Sequence, residues 1–144
     1  MLTVYILASR KEERSVEEFW THMALMRRQI RSVTWANPLY VEDLVASNAL
    51  VPAMPERYVV IGCLSNRFVS ALLDQPALRE LVERAIRSVP FIISPCQWNQ
   101  PPCPFAGKMA VAPEAVTSTS QHDRVFVEAA RRIREVIASL LQEL

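Results

Sequence analysis

The sequence predicts an α+β domain with a ferredoxin-like, split βαβ arrangement that a second copy closes into a dimeric α+β barrel. Two observations predict this arrangement: strand and helix signals follow one another as β-α-β twice, and each helix has an apolar stripe able to cover one face of a sheet. A third predicts the dimer. Helices on one face leave the other face apolar and uncovered, and two such faces enclose a cavity suited to a small molecule.

The first half of the chain supplies a strand, a helix and an interrupted strand. Residues 2–9 are rich in Val, Ile, Tyr and Leu, which predicts a strand. The run Ser15-Val-Glu-Glu has the spacing of a capping box and predicts a helix that continues to about Arg31. Residues 33–45 contain β-branched and aromatic residues on both sides of Asn37-Pro38, which predicts a second strand with a kink or an interrupted edge strand.

The second half repeats the pattern. Residues 47–56 contain two prolines and predict a loop, and residues 57–64 form the clearest strand signal in the chain. A helix from 68 to 89 is expected to break at Asp74-Gln75-Pro76, with the proline in the first turn of the resumed helix. Residues 91–98 predict a fourth strand, and the prolines around it favour the edge of the sheet.

Three segments follow from this order. Residues 1–99 are expected to form the α+β barrel domain, and residues 100–119, rich in Pro, Ala, Ser and Thr, a Pro-rich linker. Residues 120–144 predict a C-terminal amphipathic helix. Its long apolar stripe needs a cover, which is either the sheet of the same subunit or that of a partner.

The composition disfavours several classes of binding partner. Sixteen Lys and Arg against fifteen Asp and Glu give a formal charge of +1, so the chain has no global field for nucleic acid or an anionic membrane. No stretch approaches the roughly 18 apolar residues of a membrane helix, and the apolar start lacks the basic region and cleavage site of a secretory signal. We expect a cytoplasmic protein.

Cofactor signals are also missing. Three cysteines and two histidines show no zinc-ligand spacing, which predicts that no metal is bound. The only glycines, Gly62 and Gly107, do not form a phosphate-binding loop at the start of a helix. We therefore expect no cofactor.

Several segments resemble the EthD-like branch of the dimeric α+β barrel superfamily. They are the opening strand Thr3-Val-Tyr-Ile-Leu, the helix start from Ser15 to His22, the broken helix and the strand Phe91-Ile-Ile-Ser. The resemblance covers residues 1–99 and implies a cofactor-independent enzyme, similar to the small fungal decarboxylases and cyclases of polyketide pathways. A second histidine that the family usually has further along the first helix is replaced here by Arg27.

The predicted catalytic residues are His22, Arg27, Tyr5 and Tyr58. His22 can transfer a proton near neutral pH, and Arg27 falls near the centre of an apolar stripe, where a charge favours an anionic partner. Tyr5 or Tyr58 is the expected hydrogen-bond donor across the cavity. The alternative for each is structural: a half-buried histidine, an arginine that extends to solvent, and tyrosines that pack.

Three further aromatic residues, Trp35, Tyr40 and Trp98, are predicted to line a substrate site for an apolar or aromatic molecule, with core packing as the alternative. The predicted function is proton-transfer chemistry such as cyclisation, isomerisation or decarboxylation by a homodimer. A non-catalytic binding or dimerisation module of the same fold is the main alternative. A haem-dependent monooxygenase, as found in the wider superfamily, is the third.

Overall fold

The computed structural model describes residues 2–46 and 57–143. Five strands form one sheet, namely β1 (Leu2–Ala8), β2 (Val33–Trp35), β3 (Leu39–Tyr40), β4 (Tyr58–Leu64) and β5 (Arg87–Ile92). The helices are α1 (Glu13–His22), α2 (Ala24–Gln29), α3 (Val41–Ala46), α4 (Asn66–Asp74), α5 (Pro76–Glu83) and α6 (His122–Glu143), with 3₁₀ turns at Arg10–Glu12 and Val116–Ser118.

The sheet is parallel throughout. The strand order is β2-β1-β4-β5, and β3 pairs with the last residues of β1. Because β4 occupies one side of β1 from Thr3 to Leu7, β2 and β3 share the other side as two pieces of one interrupted edge strand. Of the two arrangements predicted for residues 33–45, the interrupted edge strand is the one observed, and the helix α3 replaces the strand from Val41 onwards.

Helices cover both faces of this sheet. One hydrophobic cluster joins α1, α2 and α6 to side chains such as Val4 and Ile61, and a second joins α4 and α5 to neighbours such as Val60 and Leu64. All seven residues of β4 are buried, as expected for a parallel strand covered on both sides. The protein is therefore a mixed α/β domain with three layers and a C-terminal helix.

The ferredoxin-like arrangement predicted from the sequence is not the one observed. That fold places its strands antiparallel with helices on one face, whereas every strand pair here is parallel. The difference begins after β3, where the segment predicted to extend the strand forms α3 instead. A parallel return needs a crossover of about a dozen residues or more, and α3 begins that crossover.

The predicted barrel requires an uncovered face of the sheet, and here no face is left open to meet a second copy. Helices cover the face on which the barrel cavity was expected. Dimer formation itself stays a prediction. The expected loop at residues 47–56 lies outside the described residues.

The helix starts differ in part from expectation. α1 begins at Glu13, so Ser15 lies inside the helix and does not cap it. A 3₁₀ turn precedes α1, and the Ser9 hydroxyl accepts a hydrogen bond from the Lys11 amide at its start. The break between α4 and α5 is where the sequence predicts it, with Ser65 as the N-cap of α4 and a proline in the first turn of α5.

The C-terminal third packs against the domain. Phe105 and Val116 are fully buried, so the segment predicted as a linker at residues 100–119 contributes to the core. The stripe of α6, including Phe126 and Ile133, joins the cluster on the α1 face of the same subunit. Among the helices of the described residues, none has the length and apolar character needed to cross a membrane.

Candidate functional site

A crevice lies at the carboxyl edge of the sheet, where the strand order reverses. The chain leaves β1 for the β2 side and later returns to β4 on the opposite side of β1. Ligands of open parallel sheets bind outside the carboxyl ends of strands at such a reversal. Two cavities of about 660 and 470 Å³ lie here and share Lys11, Arg67 and Ser70 as lining residues, so we treat them as one crevice.

Two buried serines shape the loops beside the crevice. Ser9 follows β1 and caps the 3₁₀ turn that carries Lys11. Ser65 follows β4 and accepts a hydrogen bond of 3.3 Å from the Phe68 amide, which caps the helix that carries Arg67. Because β1 and β4 are parallel neighbours, both turns lie at the same edge and both basic side chains line the crevice.

The carboxylate of Glu42, at the start of α3, is fixed in the crevice by the loop after β1. The Ser9 hydroxyl donates to Oε2 at 2.6 Å and the Arg10 amide donates to Oε1 at 2.8 Å. Burial acts to raise the pKa of Glu42, but these hydrogen bonds and the positive charge of Arg67 hold that pKa below its usual value. Glu42 is therefore ionised at neutral pH, and each oxygen keeps capacity for a further hydrogen bond.

The guanidinium of Arg10 is already paired with acidic side chains of the protein. Its guanidinium donates to Asp43 Oδ2 at 3.0 and 2.5 Å and to Glu13 Oε1 at 2.6 Å, and it lies 4.1 Å above the ring of Tyr40. The side chains of Lys11 and Arg67, by contrast, make no hydrogen bond or ion pair with any residue in 2–46 or 57–143. These two cations therefore have no fixed partner and can contact a ligand, although Arg67 lowers the pKa of Glu42 and the carboxylates of Glu12, Glu42 and Asp74 line the same crevice.

The predicted catalytic residues are not brought together. His22 contacts the ring of Phe126 on the α6 side of the sheet, while Tyr5 and Tyr58 pack with the cluster on the α4 and α5 side. The sheet separates the two groups. His22 Nε2 lies 3.2 Å from Asp123 Oδ1, so its contacts link α1 to the start of α6.

Arg27 matches neither of its two predicted roles, which were to bind an anionic partner or to extend to solvent. Its guanidinium stacks 3.7 Å above the Trp20 ring and donates to the Trp20 carbonyl at 3.0 Å. Its Nε is buried without a hydrogen-bond partner, and burial together with the nearby Arg28 lowers the pKa of the guanidinium. The aromatic ring, and not an acidic side chain, is the partner of this charge.

The remaining predicted residues have structural contacts. The Tyr58 hydroxyl donates to the Leu81 carbonyl at 2.6 Å, and its ring meets Tyr5 edge-on at 5.8 Å between centroids. Trp35 donates from Nε1 to the Ile30 carbonyl at 3.1 Å.

The last two predicted residues, Tyr40 and Trp98, lie at the edge strands β3 and β5. Tyr40, at the carboxyl end of β3, donates to Glu17 at 3.2 Å and stacks under Arg10, and burial with the nearby Glu17 raises its pKa strongly. Trp98 lines a separate groove beside β5.

Sequence reasoning missed the residues of the crevice. Ser9, Lys11, Glu42 and Arg67 are not among the site residues that the sequence predicts. The available signal was positional: a serine directly follows each central strand, and a basic residue comes two positions after each serine. That signal has meaning only when the two strands are parallel, because only then do their carboxyl ends meet.

No family model, curated protein or solved structure matches the chain. The described residues contain no group of three or more His, Cys, Asp or Glu side chains placed to hold a metal ion. The fold and the crevice define the class, an open parallel α/β domain with a crevice at its strand reversal that both charged and apolar side chains line.

Proposed function

We propose that the protein binds a small phosphorylated molecule in the crevice at the carboxyl ends of β1 and β4. The observation that carries the proposal is the pair of available cations, Lys11 and Arg67, on one crevice at the reversal of strand order. A cavity of about 660 Å³ is of the size that small-molecule ligands occupy. The absence of a glycine-rich loop assigns recognition of the phosphate to side chains instead of backbone amides.

Lys11 and Arg67 would contact the phosphate of the ligand, and Glu42 would contact another group of the same ligand. Arginine presents a fork of N–H groups that matches phosphate oxygens, and lysine adds a point charge. Glu42 is ionised and accepts hydrogen bonds, so it suits a hydroxyl group elsewhere on the same ligand. A sugar phosphate is the simplest molecule with both features.

Glu42 fits binding better than proton transfer. A general base works best when its pKa is near the working pH, and the pKa of Glu42 is held below its usual value. The geometry therefore supports the binding module that the sequence offers as its alternative. Cyclisation, decarboxylation and haem-dependent oxygenation stay predictions of the sequence, as does a cytoplasmic location.

Isothermal titration at low salt tests the proposal with ribose 5-phosphate as probe and ribose as its phosphate-free counterpart. We expect ribose 5-phosphate to bind and ribose to bind at least about 10-fold more weakly, since a charge-assisted contact contributes about 1.5–3 kcal/mol. Arg67→Met should weaken binding of the phosphate about 10- to 100-fold by the same reasoning. Rising salt should weaken it further.

Arg57→Met is the matched control, because Arg57 is an exposed arginine immediately before β4 while Arg67 follows its carboxyl end. The control should bind like the unmodified protein. Equal affinity for ribose and its phosphate, or an equal loss in the Arg57 and Arg67 variants, would remove the proposed site.

A further inference from the structure

We propose that a second cavity, beside the edge strand β5, binds a neutral, planar aromatic small molecule. The groove has a volume of about 640 Å³ and lies between the end of β5, the segment around Met109 and the first half of α6. It is separate from the crevice of the proposed function, with which it shares no lining residue.

The walls of this β5 groove favour a flat apolar ligand. Trp98 is partly buried and offers an aromatic wall, and Met109, 80% exposed, offers a polarisable side chain that adapts to a ring. Ala110 and Pro113 add small apolar surface between them. An 80% exposed methionine packs little of its own side chain, so covering it with a ligand removes apolar area from water.

The charges of the β5 groove cancel in pairs, which sets the charge of the ligand. Arg124 lies 3.3 Å from Glu114, and Arg132 lies 3.1 Å from Glu128. These are the four ionisable side chains that line the groove among the described residues. Glu128 also lies 2.7 Å from Arg131, whose charge is balanced by Glu135 at 2.7 Å outside the groove. A charged ligand would lose its hydration without an unpaired charge to meet, so a neutral molecule fits best.

The β5 groove lies at the same end of the sheet as the crevice. Ile92 lines the groove, and Ser94, two residues later, lines the crevice. The end of β5 and the residues that follow it therefore contribute to both cavities. This placement follows the rule that ligands of parallel sheets bind at strand carboxyl ends.

Indole is the probe for the test, with saturation-transfer NMR to detect binding and titration to give the affinity. We expect a dissociation constant on the order of 1 mM or lower for a ligand of this size. Indole-3-acetate and tryptamine, which carry a negative and a positive charge on the same ring, should bind about 10-fold more weakly. Equal binding of all three, or no binding of indole, would overturn the proposal.

Two variants locate the site. Ala110→Phe fills the groove from a half-buried position and should weaken indole about 10-fold, while Met109→Ala should weaken it about threefold. Leu25→Ala is the control, since Leu25 is an apolar residue on α2 that is 65% exposed and lies outside the groove. Melting temperatures check that each variant is folded. If Ala110→Phe does not fold, Met109→Ala decides, and unchanged indole affinity in that variant overturns the assignment.

Discussion

The substitution Gly62→Ala adds one methyl group in the middle of β4. It tests how the C-terminal segment packs on the sheet. A Cβ atom built there lies 2.3 Å from Cζ of Phe105 and 2.8 and 2.9 Å from its Cε2 and Cε1. Carbon atoms pack best at about 3.5–4.0 Å, so Gly62→Ala forces the ring to move by more than about 1 Å. Phe105 is fully buried, and its surroundings must move with it.

The cost follows from two opposing terms. Overpacking of a close-packed core destabilises by about 1–3 kcal/mol, and the upper end applies where a buried ring is displaced. Replacing a strand glycine recovers about 0.5–1 kcal/mol of backbone entropy. We therefore expect Gly62→Ala to lower the free energy of unfolding by about 2 kcal/mol, and the melting temperature by about 4–8 °C for a chain of this size.

Urea unfolding followed by circular dichroism measures the effect in a double-mutant cycle with Phe105→Ala. Removing the ring alone should cost about 3–5 kcal/mol, but with the ring gone Gly62→Ala should stabilise the protein by about 0.5–1 kcal/mol, which gives a coupling energy of about 2.5–3 kcal/mol. Gly107→Ala is the control: its φ of +83° is strained for alanine, yet no atom lies within 4 Å of the added Cβ. Its cost should not depend on Phe105. Equal costs of Gly62→Ala with and without the ring would refute the reasoning.

Three further outcomes are expected. Tyr58→Phe should lower the free energy of unfolding by about 1–3 kcal/mol because it leaves the buried Leu81 carbonyl without its donor, while Tyr5→Phe should change it little in the same urea titration. The pKa of Glu42 is depressed in the folded state, so its contribution is present above the unfolded value of about 4.3 and is lost as the pH falls through the folded value. The stability difference between the unmodified protein and Glu42→Gln should accordingly be largest above about pH 5 and shrink towards pH 3, and a difference that grows on acidification would contradict this. Deletion of residues 120–144 should abolish the cooperative thermal transition, because it removes six buried side chains of α6 from one face of the sheet.

The elements that depend on local signals were predicted well from the sequence. A continuous apolar run gives β4, and a proline in the first turn gives the break between α4 and α5. The edge position of β5 also follows from its own residues, since Pro90 cannot donate to a neighbouring strand and lies in an edge strand here. Its bounds differ from the prediction, because the strand spans Arg87–Ile92 whereas the sequence predicted helix to residue 89 and strand over residues 91–98. Each of these features is determined by residues close together in the chain.

Strand direction depends on residues far apart, and there the prediction was wrong. Two successive β-α-β units are compatible with an antiparallel sheet covered on one face and with a parallel sheet covered on both. One feature of the sequence distinguishes these two sheets. The strand Tyr58–Leu64 is apolar at nearly every position, whereas a strand with one open face alternates between apolar and polar residues. The crossover was not recognised because α3 is short and its first residue, Val41, continues the apolar run of β3.

The error in strand direction also explains why the sequence prediction placed a candidate site on a face of the sheet and none at its carboxyl edge. In an antiparallel pair, the carboxyl ends of β1 and β4 would lie at opposite edges, so Lys11 and Arg67 would have no common ligand. An open sheet face then becomes the only place for a cavity, and residues that point to that face, such as Tyr5 and Tyr58, become its candidates. In the parallel pair the same two basic residues line one crevice, and the tyrosines pack beneath helices. The location of the candidate site therefore depends on the crossover after β3 more than on the identity of any single side chain.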